Sequence, residues 1–214
     1  MSTIITFANQ KGGCGKSTVL SLFAAYLVKM QNKKVFVIDT DKQRTLLRFY
    51  EQEKRNFDQE PLYEVVYLES QGAYNFINSS LEEKTIYLID TPNQLSIENF
   101  NLLKFSDKII VPYNYSKASM TSTLTFLDVC IGSGKINLDN LFFIGNCIKG
   151  NVKKDSLDKF KELVRKDIPI SGNVLTNDLK DTIQAQRISY LRIADDVIEL
   201  FEESFRELYS KLNF

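Results

Sequence analysis

The chain contains no histidine. Ser-His-Asp and Cys-His nucleophilic chemistry are therefore excluded, and so is every histidine-ligated metal centre. Cysteine is scarce as well. Cys14, Cys130 and Cys147 are too few and too scattered for a disulfide framework or a C-x-x-C metal site, which points to a reducing, cytoplasmic setting. Neither sign of charge is in excess: 27 Lys and Arg balance 27 Asp and Glu. Any attraction to a polyanion must then come from a local patch and not from a global field. No run of about 18 apolar residues occurs, so no segment is long and apolar enough to cross a membrane as a helix. The short apolar opening STIITFAN ends at Gln10 and Lys11 without a basic stretch before it, and no secretory leader is expected. No repeat, low-complexity tract or Pro/Gly-rich linker divides the 214 residues, which predicts one domain over 1–214. What remains for chemistry is lysine, aspartate, hydroxyls, backbone amides and a bound cation.

The composition, 43% apolar and 25% charged, is that of a chain able to bury a large core. Short β-rich apolar runs alternate with helical stretches. Strands are predicted at 3–8, 34–39, 63–68, 85–90, 108–113 and 141–146, with a weaker one near Ile170–Leu175. Several runs are apolar on both faces, which predicts an α/β fold with a mostly parallel central sheet flanked by helices on both sides. Val19, Leu22, Phe23, Tyr26, Leu27 and Met30 recur at helical spacing as one buried stripe. A second long helix is predicted from about Tyr190 to Leu212, with Leu191, Val197, Ile198, Phe201, Phe205, Leu208 and Leu212 on its apolar side.

Between the first strand and the first helix lies FANQKGGCGKST, Phe7–Thr18. It almost fits the phosphate-binding pattern G-x-x-x-x-G-K-[ST], but Gln10 stands where the first glycine belongs and an extra Lys11 precedes Gly12 and Gly13. Glycines at 12, 13 and 15 let backbone N–H groups wrap an anion, and the helix N-terminus adds partial positive charge. Cys14 fills the variable position, where a nearby helix terminus tends to lower a thiol pKa. Lys16 is placed to reach the β- and γ-phosphates, and the Ser17 hydroxyl to ligate Mg²⁺. Two further strand ends converge on the same crevice: VFVIDTD closes with Asp39 and Asp41, and IYLIDTP with Asp90, a candidate metal ligand. Each aspartate alone also suits a helix N-cap.

Taken together, these residues resemble the ParA/MinD superfamily of deviant P-loop ATPases. The loop K-G-G-x-G-K-[ST] is matched from Lys11 to Ser17; D-x-D-P-Q is matched by Asp39–Gln43 with Lys42 for proline; D-T-P-P is matched by Asp90–Asn93 with Asn93 for the second proline. The resemblance implies a three-layer P-loop NTPase fold, weak and partner-stimulated hydrolysis of ATP to ADP, Mg²⁺ as cofactor, and a homodimer in the ATP state. It implies that Lys11 crosses the interface to the partner's phosphates, that Asp41 orients the attacking water, and that Asp39 sits behind the metal. It further implies that Gly12, Gly13, Cys14, Gly15, Lys16, Ser17 and Thr18 hold the nucleotide and that Asn146 reads the adenine edge. The loop begins ten residues from the start, which leaves no room for a preceding helix-turn-helix and suggests the small ParF-like partition proteins.

Such proteins bind DNA non-specifically and respond to a centromere-binding, ParB-like partner, which implies nucleoid association. The basic segment from Lys149 to Lys166 includes Lys153 and Lys154, and Lys180 and Arg187 follow it; these five are the candidate phosphate contacts. The same segment also reads as a solvated amphipathic helix. The last helix has an acidic polar side, Asp195, Asp196, Glu199, Glu202, Glu203 and Glu207, so no membrane binding is expected. Cys130 and Cys147 read as buried thiols and not as iron–sulfur ligands. Two alternatives keep the loop and change its use: a positioning ATPase for a protein cargo, and a metabolic P-loop synthetase.

Overall fold

Six short apolar runs become six strands: β1 (Thr3–Phe7), β2 (Lys34–Asp39), β3 (Glu64–Tyr67), β4 (Thr85–Asp90), β5 (Lys108–Tyr113) and β6 (Leu141–Gly145). In this computed structural model they form one sheet in the order β3-β2-β4-β1-β5-β6, with every neighbouring pair parallel. The structure describes residues 1–56, 60–94, 96–146, 171–181 and 193–213, with 158, 162 and 166 as single helical positions. The weak strand expected near 170–175 reduces to one bridge, Val174 to Phe143, after a 3₁₀ turn at Ser171–Asn173.

Because side chains alternate along a strand, each strand feeds two cores. Ile5, Phe7, Val37, Leu88 and Ile110 face one side, where they meet α1 (Lys16–Gln31), α2 (Thr45–Asn56), α6 (Asp195–Glu199) and α7 (Glu202–Leu212). Ile4, Ile38, Tyr87 and Ile89 face the other, against α3 (Ser70–Ser79) and α4 (Ile97–Phe105). Ile109, Val111 and Phe143 join that second side beneath α5 (Lys117–Ser133). The result is the three-layer α/β arrangement of a P-loop NTPase.

α1 is buried on more than one stripe. Val19, Leu22, Phe23, Tyr26 and Leu27 are buried as expected, but so are Leu20, Ala24 and Ala25. The C-terminal helices cover it: Phe205 lies 5.5 Å from the Phe23 ring and 5.6 Å from that of Tyr26. Met30 departs from the expected stripe and is 45% exposed, because it falls in the last turn before the left-handed cap at Asn32.

The single helix expected over 190–212 is divided. Residues 190–192 lie outside the described residues, and α6 and α7 are separated at Leu200–Phe201, where Phe201 N–H bonds back to Ile198 O at 3.0 Å. Two acids open each helix, Asp195 and Asp196 in α6 and Glu202 and Glu203 in α7, where negative charge meets the positive end of the helix dipole. The break keeps Ile198, Phe201, Phe205, Leu208 and Leu212 in the core while Leu200 stays half exposed. Among the described residues no helix is long and apolar enough to cross a membrane.

Candidate nucleotide and magnesium site

The sheet order places the functional strand ends side by side. β4 lies between β1 and β2, and Asp90 is in register with Phe7 on one side and Asp39 on the other. β1 lies between β4 and β5, where successive connections leave in opposite directions, so the loop after β1 opens at a topological switch point.

Two left-handed glycines shape that loop, Gly13 at φ 74° and Gly15 at φ 88°. At Gly15 the constraint is double, since a β-carbon would also lie 2.1 Å from Asn146 Nδ2. Asn146 is buried there because its Nδ2 donates to Cys14 O at 2.9 Å. Asn146, expected to read adenine, is thus first of all a tether of the loop. A second buried asparagine holds the loop's start: Asn9 Oδ1 accepts from Lys11 N at 3.2 Å, while its Nδ2 donates to Pro112 O at 2.8 Å and Thr123 Oγ1 at 2.9 Å. Gly15 is the N-cap of α1 and supplies no side-chain acceptor, so the first N–H groups of the helix are left to an anion. Thr18 lies half-buried in this first turn.

Around the loop the charged groups divide by burial. Lys16 is 6% exposed and its Nζ donates to Asn93 Oδ1. Ser17 Oγ donates to Asp90 Oδ2 at 2.5 Å, and the other oxygen, Asp90 Oδ1, is buried without a hydrogen-bond partner among the described residues. Burial pushes the Asp90 carboxyl up to about 7, against the pull of the Ser17 hydroxyl, with the Asp39 charge adding to the push and Lys16 opposing it. An orphaned carboxylate oxygen beside a hydroxyl is an oxygen donor pair that suits a hard divalent cation. No group of three or more acidic or cysteine side chains able to hold a metal exists among the described residues. Mg²⁺ keeps several waters and substrate phosphates in its shell and does not require an all-protein cage.

Asp39 is fully buried, with Oδ1 accepting from Asp41 N at 3.0 Å and Oδ2 from Leu47 N at 3.2 Å. Burial raises its pKa despite those amide bonds. Both oxygens accept backbone amides of the turn into α2, and the Asp39 charge adds to the upward push on the Asp90 carboxyl. Asp41 is half-buried, its Oδ1 accepting from Gln43 N at 2.9 Å, and it lines a cleft of ≈ 690 Å³ with Gln43, Tyr67, Glu69 and Asn93. Lys11 is half-buried, and its ammonium makes no hydrogen bond or ion pair with a described residue.

Cys14 corrects one expectation. Its thiol is fully buried and burial raises its pKa, outweighing Lys16 and the local backbone bonds that lower it. Cys130 is also buried, and its thiol is pushed up to about 12. Of the candidate DNA contacts, Lys149, Lys153, Lys154 and Arg187 lie outside the described residues, as does Cys147, while Lys180 is exposed. Sequence reasoning missed Asn9, which has no local signal, and it treated Asn93 only as a change of turn.

A sequence profile described as the CobQ/CobB/MinD/ParA nucleotide binding domain matches residues 5–212. The chain belongs to this family. The ParA/MinD resemblance read from the loop motifs falls within it, and the profile describes a nucleotide-binding domain. No curated protein matches the chain by sequence. Among solved structures, a plasmid partition protein of Borrelia burgdorferi B31 bound to AMPPNP is 22% identical with TM-score 0.67, covering 98% of this chain and 99% of that one. Apo McdA of Cyanothece is 15% identical with TM-score 0.74, covering 100% of both chains. The pNOB8 ParA bound to nonspecific DNA is 15% identical with TM-score 0.63, covering 99% of this chain and 97% of that one. At these identities the likeness is one of fold.

Proposed function

We propose that this single domain over 1–214 is a ParA-type partition ATPase, an ATP-gated switch that dimerises around its nucleotide, binds DNA without sequence preference, and is released by hydrolysis. The observation that carries this reading is the convergence of Lys16, Ser17 and Asp90 on a glycine loop that carries the additional Lys11. Backbone N–H groups from Gly12 to Thr18 and the Lys16 ammonium hold the triphosphate. Ser17 and Asp90 hold Mg²⁺, which when bound neutralises charge on the phosphate oxygens. Asp41 orients the attacking water from the mouth of the cleft. Asn146 contributes to the adenine pocket while anchoring Cys14. Lys11 serves the partner's nucleotide and stabilises the charge that develops during phosphoryl transfer. Because the ligand lies in the interface, nucleotide binding and dimerisation are linked and each strengthens the other.

Two copies of a basic patch then act together, which raises DNA affinity by avidity. The patch comprises Lys149, Lys153, Lys154, Lys180 and Arg187, and a ParB-like centromere-binding protein stimulates turnover and takes the cargo role. Such a protein works in the cytoplasm, on the nucleoid, without a membrane partner. The test is DNA co-sedimentation with Mg²⁺-ATP, with Mg²⁺-ADP, and with a Lys153→Glu/Lys154→Glu variant. Retention is expected with ATP alone and is abolished in the variant while nucleotide binding persists; unchanged retention would sink the patch assignment.

The ≈ 690 Å³ polar cleft supports a second reading, a synthetase that places a small acceptor beside the γ-phosphate. ATP consumption that depends on a small molecule and on neither DNA nor a protein partner distinguishes it.

A further inference from the structure

We propose that Asn93 is a specificity-determining residue of the nucleotide site, a carboxamide that donates to the terminal phosphate and so separates ATP from ADP. This rests on the reading of Lys11–Thr18 as a nucleotide site. Asn93 stands in the loop that follows β4, three residues beyond Asp90, and its side chain meets the phosphate loop at two points. Its Oδ1 accepts from Lys16 Nζ. Its Nδ2 lies on the Gly12 side, 3.3 Å from the position a β-carbon on that glycine would take.

The consequences follow from the inventory of donors. A lysine ammonium carries three N–H donors, and Asn93 Oδ1 is the one acceptor that Lys16 meets among the described residues. Two donors therefore remain for phosphate oxygens. A carboxamide whose oxygen is held by a cation keeps both N–H donors, and the cation polarises them. The lysine of such a loop reaches the β- and γ-phosphates, so a group bonded to its Nζ stands one side chain from the terminal phosphate. ADP has no phosphate there. Asn93 is also exposed and borders the cleft, which leaves the carboxamide free to turn its Nδ2 toward an anion. Proline, the residue that the D-T-P-P resemblance puts at this position, has neither the acceptor for Lys16 nor the donor for phosphate. The contact is a property of this chain's own sequence.

The experiment is isothermal titration calorimetry of wild type, Asn93→Ala and Asn93→Asp with AMPPNP and with ADP, each in excess Mg²⁺. Thermal midpoints of the variants serve as a check on folding: Asn93→Ala takes from the buried Lys16 ammonium its one acceptor among the described residues and should lower the midpoint by a few degrees while leaving the chain folded. Asn93→Ala is expected to weaken AMPPNP about tenfold and ADP less than about threefold, the effect of one charge-assisted hydrogen bond. Asn93→Asp keeps an acceptor for Lys16 but turns the donor into a carboxylate oxygen, and is expected to weaken AMPPNP further than Asn93→Ala. Equal weakening of both nucleotides, or of neither, overturns the assignment. Failure of wild type to bind either nucleotide would overturn the reading of Lys11–Thr18, and this inference with it; no behaviour of the Asn93 variants alone can produce that result.

Discussion

Replacing Asp90 with Asn tests the electrostatics of the site without disturbing its shape. The carboxyl is buried between the loop and β2, and its pKa rises from 3.8 to about 7 because burial disfavours the charged form. Between these values the folded chain holds a proton that the unfolded chain has released. Stability contributed by this group is therefore complete below about pH 4, declines as pH rises, and is lost above about pH 7. At about 1.36 kcal/mol per pH unit, the full loss is about 4 kcal/mol. Asparagine has the same outline, still accepts from Ser17 Oγ, and carries no charge to bury. Asp90→Asn is thus expected to match wild type near pH 4 and to exceed it by about 2–4 kcal/mol near pH 8, the lower figure allowing for relaxation around the charge. In a chain of this length that is about 4–16 °C in thermal midpoint. Adding Mg²⁺ and nucleotide should reverse the order, because only wild type offers the oxygen anion that a hard cation requires. The measurement is thermal denaturation of both proteins across pH 4 to 8, with and without Mg²⁺-AMPPNP. A variant that is less stable than wild type by the same amount at every pH would show instead that the carboxylate is paired and not strained.

Three further substitutions probe the frame that holds the loop, one of them a surface control. Phe205→Ala removes a fully buried ring packed on Phe23 and Tyr26 and should lower the denaturation free energy by about 3–5 kcal/mol, whereas Ile97→Ser, at a position 80% exposed, should change it by less than about 0.5 kcal/mol; chemical denaturation measures both. Gly15→Ala places a side chain at φ 88° and 2.1 Å from Asn146 Nδ2, which costs about 1–2 kcal/mol for the backbone alone and breaks the Asn146 tether, so calorimetry should show loss of nucleotide binding in a chain that still folds.

The strands were legible because each is a short apolar run between turn residues, and the alternation of Ile4 and Ile5, or Tyr87 and Leu88, assigns the two faces directly. The site's polar groups were legible for a different reason: Asp90 ends β4, and Lys16 and Ser17 open α1 after the loop that leaves the neighbouring β1, so sheet topology brings them together. The break at Leu200–Phe201 was not legible. It contains no glycine or proline, and the acids that open α7 read equally well as the polar side of one longer helix. The asparagine tethers were hidden for a further reason. Asn9 to Pro112, Asn93 to Lys16 and Asn146 to Cys14 join positions far apart in the chain, and no local spacing encodes which partner a side-chain amide will meet. Asn93 left one trace, as a departure from the motif, and that departure became the more informative feature.

Lys11 is proposed to make assembly conditional on ATP, and sedimentation velocity is the test of that role. Wild type should sediment as a dimer with Mg²⁺-AMPPNP and as a monomer with Mg²⁺-ADP, and Lys11→Ala should remain monomeric with both while still binding nucleotide. Wild type and Lys11→Ala sedimenting alike, with no preference for the triphosphate, would show that Lys11 does not gate assembly.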